Sequence, residues 1–436
     1  MLNKKIAAVT VGCKVNFYDT KAILSMFCEN GYEVVEFDEL ADVYIVNTCT
    51  VTNVGDKKSR QLIRKVRKLN PDAVIAAVGC YAQVAPEELR QIEGGVDIIL
   101  GTKDRHRLVG LVERAGENRR EVGFKQTLNA VTDVMHENKF ENLFLTGIGD
   151  RVRSFVKIQD GCDRFCSYCI IPYARGPVRS RSLIDIKIEF EKLAEKGYKE
   201  VVLAGIHVAS YGKDLQGVNL QNVLDAAQAV AGIERIRMSS IEPGALTEDF
   251  LEKAASLSKV CDHFHVSLQS GSDTVLKRMN RKYGTDEYAR VLERVREFFP
   301  KSGITTDIIV GFPGESEDEY KEGLEFVKKM GFEKLHVFPF SPKKGTAAAE
   351  MPGMVKNQVK EQRSAEMIEL GKKLSRNFYG RFSGERLSVL FESFKGGINE
   401  GYATNYIPVF STGDNLTNQI RDVMISQVDD SGAYSE

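Results

Sequence analysis

Three cysteines, Cys162, Cys166 and Cys169, fall within eight residues of the run FVKIQDGCDRFCSYCIIPYARGPVRSR from Phe155 to Arg181. Thiolates at C-x3-C-x2-C spacing can hold three irons of a cubane cluster and leave the fourth iron open to a substrate or cofactor. A four-ligand zinc site or a ferredoxin needs one more ligand, and neither His nor Cys follows Cys169 before His207. Taken alone, the triplet also fits a zinc knuckle or chance spacing.

A second set of thiols is spread along the first eighty residues: Cys13 in VTVGCKVN, Cys49 in VNTCTVTN and Cys80 in AVGCYAQ. Each follows a short apolar run, at Lys5 to Val11, Asp42 to Asn47 and Ala73 to Val78. Such runs read as parallel strands covered on both faces. Helices are expected at Thr20 to Asn30 and Val54 to Leu69, which makes a doubly wound α/β domain. In a parallel sheet all carboxyl ends share one edge, so the three thiols should meet in the crevice where such folds bind ligands. That predicts a second site of three thiolates with an open iron. The alternative is that they are buried structural cysteines, like the mid-helix Cys28. Cys261 has no assigned role.

From Arg153 a βα rhythm resumes. Strands are expected at Phe155 to Gln159, Glu200 to Ala204, Arg235 to Ser239, His263 to Leu268, Thr305 to Val310 and Lys334 to Phe338, with helices between them. Six such repeats predict a partial (β/α)6 barrel with its chemistry on the loops after the strands. On those loops Gly205 allows close backbone approach, while Gln269, Asp307 and Glu242 can hold hydroxyls and an amine. Strand-end polar groups are also commonly satisfied by neighbouring backbone. Residues 116–150 are polar and aperiodic and read as a linker. After a helical stretch at 355–379, alternating segments at 386–393, 401–411 and 419–428 predict a small β-barrel. Barrels of this kind hold RNA with aromatic and basic side chains, and Tyr402 and Tyr406 are candidates to stack bases, core packing being the other use. Residues 380–436 carry four cationic and eight anionic side chains, a poor phosphate surface on average.

The whole chain is 436 residues long, with 60 Lys and Arg against 61 Asp and Glu, so global charge offers no argument for nucleic acid. A local one exists on the helix over 56–70, whose seven Lys and Arg make either a solvated face or a phosphate contact. No apolar run approaches the roughly 20 residues that span a bilayer. Eight scattered cysteines suit a reducing compartment and metal ligation, so a cytoplasmic protein is expected.

The segments GCKVNFYDT, VNTCTVT, VGCYAQ, DGCDRFCSYCIIPYARG and PFSPKKGT together resemble the radical S-adenosylmethionine (SAM) methylthiotransferase family along nearly the whole chain. GCKVN and KIQDGCDRFCSYCIIPYARG are most similar to its MtaB type, which modifies N6-threonylcarbamoyladenosine beside the tRNA anticodon. The resemblance implies an auxiliary-cluster domain over 1–115, a linker over 116–150, a radical SAM domain over 151–375 and a TRAM-like β-barrel domain over 376–436. It implies two 4Fe-4S clusters, one on Cys162, Cys166 and Cys169 that binds SAM, and one on Cys13, Cys49 and Cys80 that delivers sulfur to adenine C2. SAM then serves as both radical source and methyl donor. Backbone near Tyr168, with Gly205, Gln269 and Asp307, would position SAM. Arg175, Arg179 and Arg181 are candidates for its carboxylate or for RNA phosphate, and Lys343, Lys344, Tyr402 and Tyr406 for RNA. The partners implied are tRNA, an electron donor and a sulfur donor, with no membrane and no DNA. Rival readings are RimO-type action on a ribosomal protein aspartate, MiaB-type action on isopentenyladenosine, and a non-catalytic iron-sulfur protein.

Overall fold

The computed structural model describes residues 4–122, 126–145 and 152–435. The chain divides into two compact units: Met1–Gly149 with Lys157–Arg181 and Ser341–Thr346, and Asp150–Val156 with Ser182–Phe340 and Ala347–Glu436.

The first unit is built on a six-stranded sheet in the order Glu33–Val34, Lys5–Thr10, Val43–Thr48, Val74–Gly79, Ile98–Leu100, Leu128–Asn129. All its pairings are parallel. Side-chain alternation divides the strands between two cores. Ile6, Val43, Ile45, Val74, Ala76 and Val78 pack under the helices Lys14–Glu29 and Leu108–Val122. Ala7, Tyr44, Val46, Ile75 and Ala77 meet Ile63 and Val66 of the helix Asn53–Leu69 on the other face. This is the doubly wound α/β arrangement expected, and its order reverses between Lys5–Thr10 and Val43–Thr48.

The first helix begins at Lys14, well before Thr20, with Cys13 as its N-cap residue. Its opening turn buries Asn16, whose Nδ2 donates to Val11 O at 2.9 Å and Thr48 O at 3.0 Å, so the apolar periodicity is interrupted there. The helix Asn53–Leu69 is capped by Thr52, whose side chain accepts from Gly55 N. Lys57, Lys58, Arg64, Lys65 and Lys68 are exposed along it, while Arg67 turns to Asp97 at 2.7 Å. Within the expected linker, Leu128–Asn129 supplies the edge strand of the sheet. Residues 123–125 and 146–151 of that region lie outside the described residues.

Strand Arg153–Lys157, which belongs to the second unit up to Val156, and Glu200–Ala204, Arg235–Met238, His263–His265, Gly303–Val310 and Lys334–Pro339 form two three-stranded sheets. A parallel bridge from Ile241 to Val266 continues one sheet into the other, giving the partial barrel. Helices Leu183–Glu195, Leu220–Ala229, Glu248–Ala255, Thr285–Phe298 and Glu317–Met330 stand where the periodicity places them, and Asp273–Arg278 is an extra short one. The C-terminal segments close a five-stranded barrel in the order Arg386–Lys395, Ile398–Ala403, Pro408–Thr412, Ala433–Ser435, Ile420–Val428. The run 401–411 is two strands because Tyr406 takes a left-handed φ of 74° and turns the chain ahead of Pro408. Among the described residues no helix is long and apolar enough to cross a membrane.

Candidate metal centre

Both cysteine sets belong to the first unit. Cys13, Cys49 and Cys80 each follow the carboxyl end of one of three neighbouring strands, Lys5–Thr10, Val43–Thr48 and Val74–Gly79, at the point where the strand order reverses. Cys13 is exposed, and Cys49 and Cys80 are buried. Burial, then the nearby Cys80 sulfur, push the Cys49 thiol up to about 12, and Cys13 adds to the effect. Burial also raises the Cys80 thiol, opposed by the Arg175 guanidinium. Burial of Cys49 and Cys80 disfavours bare thiolates there, and a cationic iron core is a partner that such a donor set fits. Gly12 keeps the space open: at its φ of 120°, an added Cβ would stand 3.0 Å from both Cβ and Sγ of Cys49.

The Cys162, Cys166 and Cys169 loop leaves the two-residue strand Gln159–Asp160 through Gly161. At Gly161 φ is 75° and a Cβ would fall 1.7 Å from Pro177 O, so only glycine permits this turn. Cys162 N donates to Gly176 O at 3.0 Å and Cys169 N to Cys166 O at 2.9 Å, which curls the loop back on itself. Among the described residues no three His, Cys, Asp or Glu side chains converge as they would on a single metal ion. A cubane distributes its thiolates over separate irons and asks for wider spacing.

Beneath these loops lies a set of buried charges. Arg175 has no exposed surface, and its guanidinium has five N–H donors. Nη1 donates to Asp160 Oδ1 and Oδ2, both at 3.1 Å; Nη2 donates to Asn16 Oδ1 at 2.5 Å and Asp19 Oδ2 at 3.1 Å; Nε donates to Cys80 Sγ at 3.3 Å. Arg105 Nη1 stands 2.5 Å from Asp19 Oδ2 and its Nε 2.8 Å from Glu141 Oε2. Lys157 Nζ reaches Asp19 Oδ1 at 2.9 Å and Asp160 Oδ2 at 2.5 Å. Burial alone would raise the Asp160 carboxyl, but Arg175, Lys157, Arg179 and Arg105 outweigh it and hold it well below the usual carboxylate range.

These contacts correct several expectations. Arg175 has every donor engaged inside the protein, and Arg179 and Arg181 are buried as well. Arg179 donates to Arg175 O and Pro177 O, and Arg181 to Asn142 Oδ1 and Tyr18 Oη. None of the three presents a free fork to a phosphate. Lys343 is buried too, paired with Asp56 and 5.7 Å over the Tyr81 ring, whereas Lys344 is exposed.

In the second unit, Gly205 ends the strand Glu200–Ala204, and Gln269 and Asp307 sit side by side, Gln269 N donating to Asp307 O at 2.9 Å. Gln269 has a left-handed φ of 75°. His265 places Nδ1 2.9 Å from Thr305 Oγ1 and Nε2 3.2 Å from Asp307 Oδ2. Glu242 lies 3.1 Å from His207 Nε2 and 3.1 Å from Arg281 Nη2. His207, His265 and Arg281 were not singled out from the sequence, although H-F-H in a strand puts two imidazoles on one face. Tyr406 is stacked on His263 at 4.4 Å and on Tyr402 at 4.9 Å, with the Arg237 guanidinium 4.8 Å from its ring. Arg153 lies 5.0 Å from the Tyr402 ring. These tyrosines pack the small barrel against the strand ends, a correction to their reading as platforms for bases.

Residues 156–327 match the model of the radical SAM superfamily, and 5–101 match that of the uncharacterized protein family UPF0004. The chain is 43% identical to the threonylcarbamoyladenosine tRNA methylthiotransferase MtaB of Bacillus subtilis, over 94% of this chain and 90% of that one. It is 39% identical to the Aquifex aeolicus protein of the same name, over 88% and 92%. Identity is 36% to the tRNA-2-methylthio-N(6)-dimethylallyladenosine synthase of Caldicellulosiruptor saccharolyticus, over 90% and 83%. Among solved structures, the radical SAM methyltransferase TsrM of Kitasatospora setae shares the fold, with a TM-score of 0.57 at 15% identity over 80% of this chain and 75% of that one. With its parallel-sheet cysteine domain, partial barrel and closed C-terminal barrel, the chain belongs to the radical SAM methylthiotransferase family, of the MtaB type.

Proposed function

We propose that this protein methylthiolates C2 of N6-threonylcarbamoyladenosine next to the anticodon of tRNA, with two 4Fe-4S clusters and SAM as radical source and methyl donor. The observation that carries this reading is the gathering of Cys13, Cys49 and Cys80 at one sheet edge, in the same compact unit as Cys162, Cys166 and Cys169. Bound to these two sets, the clusters and SAM supply the hydrogen abstraction and the sulfur and methyl groups.

The chain's own residues bind, orient and exclude water. Each cysteine set offers three sulfurs, which would hold three irons of a 4Fe-4S cluster and supply no fourth ligand of their own. Gly12 leaves open the space beside Cys49, and Gly161 permits the tight turn into the Cys162 loop. Within the second unit, Gly205, Gln269 and Asp307 offer polar groups for the amine and hydroxyls of SAM. Lys344 is exposed and is the basic side chain left available for phosphate. An electron donor and a sulfur donor complete the cycle, and cytoplasm is the compartment that holds the tRNA.

Mass spectrometry of tRNA nucleosides from cells lacking and regaining the protein tests this. A thiomethyl gain on N6-threonylcarbamoyladenosine is expected, lost in both Cys13→Ala and Cys166→Ala. A gain on isopentenyladenosine instead, or no gain on any tRNA nucleoside, would refute the substrate.

A further inference from the structure

We propose that Arg175 is a positioning residue that hydrogen-bonds the Cys80 ligand, ties the two cysteine sets together and raises the reduction potential of the N-terminal cluster. The proposal rests on the reading of Cys13, Cys49 and Cys80 as cluster ligands.

A buried arginine needs carboxylates, and Asp160 and Asp19 provide them. Charge balance alone does not account for where the remaining donor points. With Nη1 held by both oxygens of Asp160 and Nη2 by Asn16 and Asp19, the plane of the guanidinium is fixed, and Nε–H is aimed at Cys80 Sγ at 3.3 Å. An N–H···S bond from a cation stabilises negative charge on a coordinating sulfur, and more so in the reduced cluster, which carries one more electron. The cluster on Cys80 is therefore easier to reduce with Arg175 in place.

The same residue grips the second set. Asp160 stands two residues before Cys162, and its Oδ1 also accepts from Gly161 N at 2.8 Å. The carbonyl of Gly176, the residue after Arg175, accepts from Cys162 N at 3.0 Å. One short stretch thus holds a sulfur of the first set through its side chain and the backbone of the second set through its neighbour. Lys157 and Arg105 complete the cage by holding Asp160 and Asp19 in place. A residue that merely neutralised the carboxylates would act on an iron-sulfur potential through its charge alone, which lysine preserves, and would make no magnetic contact with a cluster.

The test uses the full chain with Cys162→Ala, Cys166→Ala and Cys169→Ala, reconstituted anaerobically with iron and sulfide, so that only the N-terminal set can carry a cluster. Growth on arginine with isotopically labelled guanidinium nitrogens, followed by reduction and pulsed electron paramagnetic resonance, is expected to give a hyperfine coupling to one arginine. Adding Arg175→Lys, which keeps the charge but not the planar fork, is expected to abolish that coupling and shift the midpoint potential downward at unchanged iron content. An assembled cluster without arginine coupling, or with the same potential in Arg175→Lys, overturns the proposal. Should Arg175→Lys fail to fold, the labelled Arg175 protein still decides. A chain that takes up no cluster in this background overturns the reading of the three N-terminal cysteines, and the proposal with it.

Discussion

Two buried arginine clusters, one in each compact unit, solve the same electrostatic problem and direct the result differently. Arg175, Arg105, Lys157 and Arg179 face Asp19, Asp160 and Glu141, and the last donor of Arg175 ends on a cysteine sulfur. Around Arg237, two arginines share one carboxylate. Its Nε and Nη2 lie 2.7 and 3.2 Å from the two oxygens of Glu200, and its other bonds go to the carbonyls of Thr404 and Ala403. Arg235 donates to Tyr402 O and Ser388 O. The acceptors of the second cluster are backbone of the closed barrel, so its bonds fasten one fold to another. Buried charge is costly in both places. What distinguishes a site from a fastening is the chemistry of the group that receives the final donor.

The largest effect should come from breaking the fastening. Arg237→Met leaves Glu200 buried without its main partner and two barrel carbonyls without donors, and truncating one side of a buried pair costs about 3–5 kcal/mol. A thermal scan is expected to show a marked drop in melting temperature, while iron uptake by the folded protein is unchanged. Loss of iron without loss of stability would break the distinction.

A pH series sharpens it. In the first cluster the Asp160 carboxyl is held low, so that cluster stabilises the fold above the ordinary carboxylate range and weakens as pH falls. The second unit also holds Glu333, which is buried beside Gly303; burial pushes it up to about 8, against the opposing charges of Lys334 and Arg237. Its folded value lies above the unfolded one, so its contribution is complete below about pH 4.5 and is lost as pH rises through about 8. Glu333→Gln is therefore expected to raise the melting temperature above the native protein at pH 8, with the difference shrinking toward pH 5. A constant offset at every pH would mean that the carboxyl is ionised throughout.

The parts of this arrangement that could be read from the chain are those where residue type and local spacing suffice. Cys13, Cys49 and Cys80 follow apolar strands directly, and parallel topology then brings them together. The buried charges were not legible, because Asp19, Arg105, Lys157 and Arg175 are far apart in sequence and charged residues are ordinarily solvated. Weak signals existed. Lys157 interrupts an apolar strand, and the R-I-R of Arg235 to Arg237 sets two cations on one strand face, as H-F-H does for His263 and His265. The reversal at Tyr406 was hidden for another reason: a left-handed tyrosine is held by its ring contacts, which local propensity does not register.

The smallest effect separates two adjacent lysines. Lys343 is buried against Asp56 and Tyr81 and belongs with the fastenings. Lys344 is exposed at a cleft of about 590 Å³ that also presents Ile170, Tyr173 and Gly345, together with the acidic Glu87 and Glu88. Removing one phosphate contact weakens binding across all sequences and lowers the salt slope by about 1. Lys344→Ala is expected to do this in a tRNA titration over a range of salt, with stability within about 0.5 kcal/mol of the native protein. Lys343→Ala should do the reverse, lowering the melting temperature and leaving the slope of the remaining binding intact. If both lysines changed the slope equally, the Lys343–Asp56 pair would have to open when RNA binds, and burial in the free protein would no longer separate a fastening from a contact.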